Sequence, residues 1–104
     1  MIRINFLTGG DLIKGFECKG HSMSAPSGSD IICAFVSSAC YMTANTITEI
    51  IGLEAQTAVD DGYMRLEIKS SNESAQDILK GMKLHLTELA KDYPENIKVI
   101  TTEV

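Results

Sequence analysis

One stretch of the sequence, residues 30–51, restricts the possible folds more than any other. It contains neither glycine nor proline, and its apolar residues recur at the spacing of a helical face. These apolar positions are Ile32, Phe35, Val36, Ala39, Ile47, Ile50 and Ile51. The pattern predicts one long helix that is buried on most sides, with Gly52 as its C-terminal stop.

Strand patterns lie on both sides of this helix. Residues 2–6 alternate apolar and polar side chains, and after a Gly-Gly-Asp turn a second strand over residues 12–18 completes a hairpin. Residues 55–59 and 63–68 flank the sequence Asp60-Asp61-Gly62, which favours a tight hairpin turn. One face of the last of these strands carries Met64, Leu66 and Ile68. The sequence therefore predicts two hairpins with the helix between them.

A second helix and a final strand complete the predicted order. Asn72 or Ser71 can cap a helix that runs to about Asp92 and ends before Pro94. Its apolar stripe consists of Ala75, Ile78, Leu79, Met82, Leu86 and Leu89. A last strand follows at residues 97–104. The order β-β-α-β-β-α-β predicts an α+β fold in which two helices pack on one face of a largely antiparallel or mixed sheet.

The composition excludes several classes of function. Nine Lys and Arg against 14 Asp and Glu give a formal charge of −5, whereas binding a phosphate backbone needs clustered basic residues, so we expect no nucleic-acid partner. The sequence shows neither the ~18-residue apolar run of a membrane span nor the start of a signal peptide. We therefore expect a cytoplasmic protein with no membrane partner. In that reducing compartment its three cysteines are not expected to form a disulfide framework.

Cys33 is the cysteine that the local pattern places best for chemistry. If Ser29 or Asp30 caps the first helix, Cys33 lies in the first turn, where unpaired backbone N–H groups and the helix dipole stabilise a thiolate. His21 lies twelve residues earlier, and the intervening loop is long enough to fold back. A Cys-His pair can carry out thiol acyl transfer, because the imidazole takes the thiol proton and then protonates the leaving amine.

Each cysteine and histidine also has a purely structural interpretation. A cysteine in an apolar helix is usually a small core residue, and an isolated Gly-His dipeptide usually has no chemical role. Cys18, on a strand face with Leu12 and Phe16, and Cys40, in the middle of the first helix, are predicted to pack in the core. His85 is predicted to be a surface or half-buried residue. The spacing of Cys and His matches no metal motif, so we expect neither a metal nor another cofactor.

Residues 20–38, GHSMSAPSGSDIICAFVSS, resemble the ribosomal-processing cysteine protease family, Prp. In that family a Gly-His pair precedes a loop of small residues, and an Asp-Ile-Val/Ile-Cys-Ala element then opens a helix with a Ser one turn on. The matching positions are Gly20, His21, Asp30, Ile31, Ile32, Cys33, Ala34 and Ser37. The loop departs from the usual family composition at residues 22–27, where Pro26 stiffens it. Because the resemblance extends to chain length and element order, it implies one Prp-like protease domain over residues 1–104.

The resemblance implies a homodimeric, cytoplasmic cysteine endopeptidase of bacteria that removes a short N-terminal extension from a large-subunit ribosomal protein. It implies Cys33 as the nucleophile and His21 as the general base, with Gly20, Asp30 and Ser37 as supporting residues. Asp30 can cap the first helix or orient His21, and Ser37 can donate a hydrogen bond beside the thiol.

Two other classes of function remain open at this point. One is a non-enzymatic ribosome-associated or regulatory binding module, in which Cys33 is a packing residue. The other is a thiol redox protein, although no CxxC pair exists and the partner of Cys33 would have to be Cys18 or Cys40.

Overall fold

The structure, a computed structural model, describes residues 1–20 and 31–104. Its elements are β1 (Ile2–Gly9), β2 (Leu12–Lys19), α1 (Ile31–Asn45) with a π-helical extension (Thr46–Ile51), β3 (Ala55–Asp60), β4 (Tyr63–Ile68), α2 (Glu73–Asp92) and β5 (Ile97–Glu103). The predicted element order and the α+β class are confirmed.

The five strands form one mixed sheet in the order β3-β4-β2-β1-β5. Neighbouring strands are antiparallel except β1 and β5, which are parallel because α2 carries the chain from β4 across to the far edge. Pleating aligns side chains of neighbouring strands in rows on the helix-facing side. One row consists of Ile4, Cys18 and Met64, and the next consists of Phe6, Phe16 and Leu66. These rows and the buried sides of the helices form one hydrophobic core.

A β-bulge in the first hairpin changes the face on which its residues lie. The pairing of β2 with β1 skips Lys14, which is therefore an extra residue in β2. Ile13 is buried as a result, whereas Leu12 is 47% exposed. The prediction that Leu12 shares a face with Phe16 and Cys18 is wrong, because the bulge shifts the alternation by one residue.

Gln76, a buried residue of α2, attaches this helix to the bulged strand. Its Oε1 accepts a 2.9 Å hydrogen bond from the backbone N–H of Ile13, and its Nε2 donates a 2.8 Å bond to the carbonyl of the same residue. Nε2 also donates to the hydroxyl of Ser71 at 2.8 Å. The helix begins as predicted, because the side chain of Asn72 caps it by accepting a 2.9 Å bond from the N–H of Ala75.

The first helix is less buried than the sequence predicts. It buries Val36 and Cys40 toward the sheet, but Ile31 is 65% exposed and Phe35 is 41% exposed. The expectation of burial on most sides is wrong, because the sheet and α2 together leave one side of α1 open. The predicted stop is confirmed: Gly52 has a left-handed φ of 82°, and its N–H donates to the carbonyl of Ile47, closing the π-helical extension.

The helical stretch Ile31–Ile51 is long and apolar enough to cross a membrane, judged by length and composition alone. The expectation that the sequence contains no such segment is therefore wrong. The core helix of a globular domain meets the same criterion, and in this helix Val36, Cys40 and Ile47 pack into the core.

Candidate active site

Cys33 is the third residue of α1 and lines a cavity of about 310 Å³ between this helix and the sheet, called the Cys33 cavity below. The helix also contributes Ser37, Cys40 and Tyr41 to this cavity. They follow Cys33 by four, seven and eight residues, which places them on the same helical face. Cys33 itself is half-buried. Its predicted position in the first turn agrees with the structure.

The opposite wall of the cavity comes from the ends of the strands. The residues concerned are Ile2, Cys18, Gly20, Asp60, Asp61, Gly62, Tyr63 and Met64. The backbone N–H of Gly20 donates a 2.8 Å hydrogen bond to the carbonyl of Gly62. This bond joins the end of β2 to the β3–β4 turn, so that both hairpins form one wall opposite Cys33.

Gly20 occupies a position that a larger residue fits poorly. Its φ of 97° lies in the left-handed region, which residues with a Cβ adopt at a cost. A Cβ at this position would also collide with the carbonyl oxygen of Met1. The sequence singled out Gly20 by resemblance alone, and the structure supplies the physical reason for a glycine beside the cavity.

Two acidic groups lie along the edge of the cavity. Asp60 and Asp61 are exposed in the β3–β4 turn, and Asp60 Oδ1 accepts a 2.8 Å hydrogen bond from the N–H of Asp61. On the other face of the sheet, away from the helices, the hydroxyl of Tyr63 donates a 2.9 Å bond to Glu17 Oε2. That bond raises the pKa of Tyr63, because the neighbouring carboxylate disfavours the phenolate. Only Asp60 and Asp61 of these groups present carboxylates to a ligand that enters the cavity.

Cys18 and Cys40 both line the same cavity. The thiol of Cys40 donates a hydrogen bond to the sulfur of Cys18, which lowers the pKa of Cys18 although burial opposes the shift. The same bond raises the pKa of Cys40, which is 1% exposed. The prediction that Cys40 packs in the core is confirmed. Cys18 packs against the core but is only half-buried, because one side of it faces the cavity.

Three of the predicted site residues, Gly20, Cys33 and Ser37, are brought together around the Cys33 cavity. The other two, His21 and Asp30, lie outside the described residues, as does the loop between them. Their roles stay predictions.

Sequence reasoning missed several residues that line the cavity. Tyr41 carried a usable signal, because its position eight residues after Cys33 places it on the same helical face. The turn at residues 60–62 carried no sequence signal that would place it at the cavity. It reaches the cavity because β2 pairs with β4, with Lys19 opposite Tyr63, and this pairing is not evident from local sequence.

The described residues, 1–20 and 31–104, contain no group of three or more His, Cys, Asp or Glu side chains that could hold a metal ion. His85 is exposed and borders a groove between α1 and α2. Its predicted surface position is confirmed.

Comparisons with known proteins relate this chain to proteases. Residues 1–98 match the sequence model of a family described as Cysteine protease Prp. The ribosomal processing cysteine protease Prp of Bacillus subtilis (strain 168) is 30% identical over 96 residues, which cover 86% of this chain and 86% of the relative. The protein of the same name from Staphylococcus aureus (strain Mu50) is 30% identical over 83 residues, covering 77% of this chain and 78% of the relative.

Solved structures share the fold over nearly the whole chain. The essential ribosomal processing protease Prp from S. aureus, in complex with a covalently linked product peptide, superposes with a TM-score of 0.90 at 24% identity and covers 98% of this chain and 100% of that one. A protein from Streptococcus mutans superposes with a TM-score of 0.86 at 27% identity, covering 100% and 99% of the two chains.

The fold and these matches define a cysteine-type peptidase. More specifically, the chain belongs to the Prp family of ribosomal processing cysteine proteases. This membership favours the peptidase over the binding module and the thiol redox protein that the sequence left open.

Proposed function

We propose that this chain is a cysteine endopeptidase that removes a short N-terminal extension from a large-subunit ribosomal protein. The observation that carries the proposal is the position of Cys33, in the first turn of a helix and on the wall of a cavity, in a chain of the Prp family. Two solved structures of the S. aureus relative hold a substrate peptide or a covalently linked product peptide. A peptide is therefore the class of substrate that this chain is expected to take.

Cys33 is the proposed nucleophile and His21 the proposed general base. The imidazole accepts the thiol proton, and the thiolate attacks the scissile carbonyl carbon. The tetrahedral intermediate collapses when His21 protonates the leaving amine, which breaks the C–N bond and leaves a thioester on Cys33. Water then hydrolyses the thioester, giving up its proton to the imidazole and restoring the thiol.

Backbone groups at the start of α1 are the proposed oxyanion donors. The N–H groups in the first turn of a helix point toward the helix end, where they can donate to an anion. Donors fixed in this way stabilise the tetrahedral oxyanion more than the planar carbonyl. Ser37, one turn after Cys33 and on the cavity wall, is proposed to donate a hydrogen bond near the thiol. Asp30 is proposed to cap α1 or to orient His21.

The size and charge of the cavity support a basic, extended peptide as the substrate. A volume of about 310 Å³ accommodates side chains but not a folded domain, so the scissile segment has to enter as extended chain. Asp60 and Asp61 lie at the edge of the cavity, and the whole chain has a formal charge of −5. Ribosomal proteins are strongly basic, so this charge attracts them over a distance set by ionic strength.

The resemblance to the Prp family also supports a proposal about the setting of this activity. We propose a cytoplasmic homodimer in which each chain forms one protease domain over residues 1–104. The acidic composition supports the absence of a nucleic-acid partner. Light scattering on the purified protein tests the dimer, because a monomer and a dimer differ twofold in mass.

The test of the proposed function is the processing of a complete precursor. A large-subunit ribosomal protein with its N-terminal extension is incubated with the wild type, and the intact mass of the product gives the bond that is cut. We expect a single cut at the junction, and a rate at least about 100-fold lower for His21→Ala. Ser38→Ala is a matched control, because Ser38 is exposed on α1 and borders the groove toward α2 rather than the Cys33 cavity. An uncut precursor, or equal rates for His21→Ala and the wild type, would contradict the proposal.

A further inference from the structure

Tyr41 is an exposed aromatic residue of α1 that the proposed protease mechanism does not use. It is 47% exposed and lines the Cys33 cavity. Another exposed aromatic residue of this helix, Phe35, packs against Tyr93 with ring centroids 6.5 Å apart, and it borders the groove between α1 and α2. The ring of Tyr41 thus remains available on the cavity side. Aromatic side chains are typical of the walls of sites that a ligand covers.

Tyr41 stands in line with the proposed nucleophile on the helix surface. Cys33, Ser37 and Tyr41 follow one another at intervals of four residues, so they form one ridge along α1. Val36 and Cys40 also line the cavity, but each is only 1% exposed, so they lie deeper in it. The cavity therefore follows the helix for about two turns, with Cys33 near one end and Tyr41 near the other.

The spacing of these two residues corresponds to a definite length of peptide. Eight residues of helix separate Cys33 from Tyr41, which is about 12 Å along the helix axis. An extended chain rises about 3.3 Å per residue. A peptide that has its scissile carbonyl at Cys33 and runs along the ridge therefore reaches Tyr41 with a residue about three to four positions from the scissile bond.

We propose that Tyr41 is a substrate-positioning residue whose ring packs against the segment of the peptide that lies three to four residues from the scissile bond. This inference rests on the proposed protease function and adds a contact remote from the reacting atoms. An aromatic ring presents a large apolar surface and loses little side-chain freedom when a peptide covers it. Because the contact is the same in the bound substrate and in the transition state, it should lower KM and leave kcat nearly unchanged.

The test compares peptide substrates of different lengths. The long peptide spans the extension junction with six residues on each side of the scissile bond, and two shortened peptides keep only two residues on one side or the other. For the wild type, we expect one of these truncations to raise KM by at least about five- to tenfold, the size expected for one lost aromatic contact. That truncation also identifies the end of the substrate that lies toward Tyr41.

Variants at position 41 isolate the contribution of the ring. Tyr41→Ala should raise KM for the long peptide about five- to tenfold. For the peptide that lacks the segment facing the ring, the same variant should raise KM less than about twofold, because the contact is already absent. Tyr41→Phe keeps the ring and should restore the wild-type KM. Met42→Ala is the matched control, because Met42 is 55% exposed but borders the groove toward α2 instead of the Cys33 cavity.

Two results would overturn the inference: an unchanged KM for the long peptide in Tyr41→Ala, or an equal rise in KM for the long peptide and both shortened ones. The proposed function fails separately, if the wild type cleaves none of the peptides. The Tyr41 contact is then measured as the Kd of fluorescently labelled peptides in the Cys33→Ala background. The same dependence on peptide length and on Tyr41 is expected there, and its absence would contradict the contact.

Discussion

The backbone N–H of Gly20 donates a 2.8 Å hydrogen bond to the carbonyl oxygen of Gly62, and both residues lie on the wall opposite Cys33. Both have left-handed backbone conformations, with φ of 97° and 66°. The end of β2, directly before His21 in the sequence, is thereby fixed to the β3–β4 turn. The shape of this wall thus depends on conformations that glycine adopts at low cost.

Replacing Gly20 with alanine should destabilise the protein and reduce cleavage. The alanine has to adopt a left-handed φ, and its Cβ collides with the carbonyl oxygen of Met1. We expect a loss of about 2 kcal/mol or more in the free energy of unfolding, measured in urea. Gly10→Ala is the matched control, because Gly10 also has a positive φ but its Cβ would meet no atom within 4 Å; its loss should be about 1 kcal/mol. Equal losses in the two variants would show that the contact with Met1 is unimportant.

Replacing Gln76 with alanine should also destabilise the protein, but for a different reason. The backbone N–H and carbonyl of Ile13 would lose the partners that Gln76 supplies. Leaving buried polar groups without partners costs about 2 kcal/mol. Lys80→Ala, one turn later on the exposed side of α2, should change the unfolding free energy by less than about 0.5 kcal/mol. Similar values for the two variants would mean that water replaces the amide without penalty.

The carboxylates at the edge of the cavity should govern substrate affinity more than turnover. With Asp60→Asn and Asp61→Asn combined, we expect KM for a basic peptide to rise several-fold and kcat to change little, because the attraction acts before the chemical step. The increase should shrink at high salt, where exposed charges are screened. Asp77→Asn combined with Asp92→Asn, two exposed residues of α2, is the control for net charge. A KM that is unchanged, or that changes equally in the control, would contradict a local role for the turn.

The hydrogen bond between Cys40 and Cys18 predicts a pH-dependent difference in labelling. Donation from Cys40 stabilises the Cys18 thiolate and lowers the pKa of Cys18, so Cys40→Ala should raise that pKa. At neutral pH a smaller fraction of Cys18 is then ionised, and alkylation by iodoacetamide should slow. At alkaline pH, above both pKa values, the rates of the variant and the wild type should converge. A rate that is unchanged at neutral pH would indicate that the bond does not affect Cys18.

The fold was largely predictable from local patterns. The Gly-free and Pro-free stretch that ends at Gly52, the Asp60-Asp61-Gly62 turn and the Asn72 cap each act within a few residues, so the sequence alone indicates them. The bulge at Lys14 was not predictable, because it depends on how β2 pairs with β1. The exposure of Phe35 was missed for a similar reason, since the apolar pattern of a helix does not tell how much of it the neighbouring elements cover.

The candidate site was predictable only in part. The spacing of Cys33 and Ser37 places both on one helical face, and the structure has both on the cavity wall. The opposite wall forms through pairing between β2 and β4, so the contribution of Asp61 could not be found from local sequence. Cys18 and Cys40 are twenty-two residues apart in the chain and reach the same cavity from different layers, and each residue taken alone resembles ordinary core packing.

The most direct test of the central proposal is the rate at which Cys33→Ala cleaves a peptide that spans the extension junction. Activity should fall by more than about a thousandfold relative to the wild type, because the substitution removes the sulfur that is proposed to form the thioester. Ser38→Ala, on the same helix but outside the Cys33 cavity, should cleave at close to the wild-type rate. If Cys33→Ala is folded by circular dichroism and cleaves the peptide as fast as the wild type does, Cys33 is not the nucleophile and the proposed mechanism is wrong.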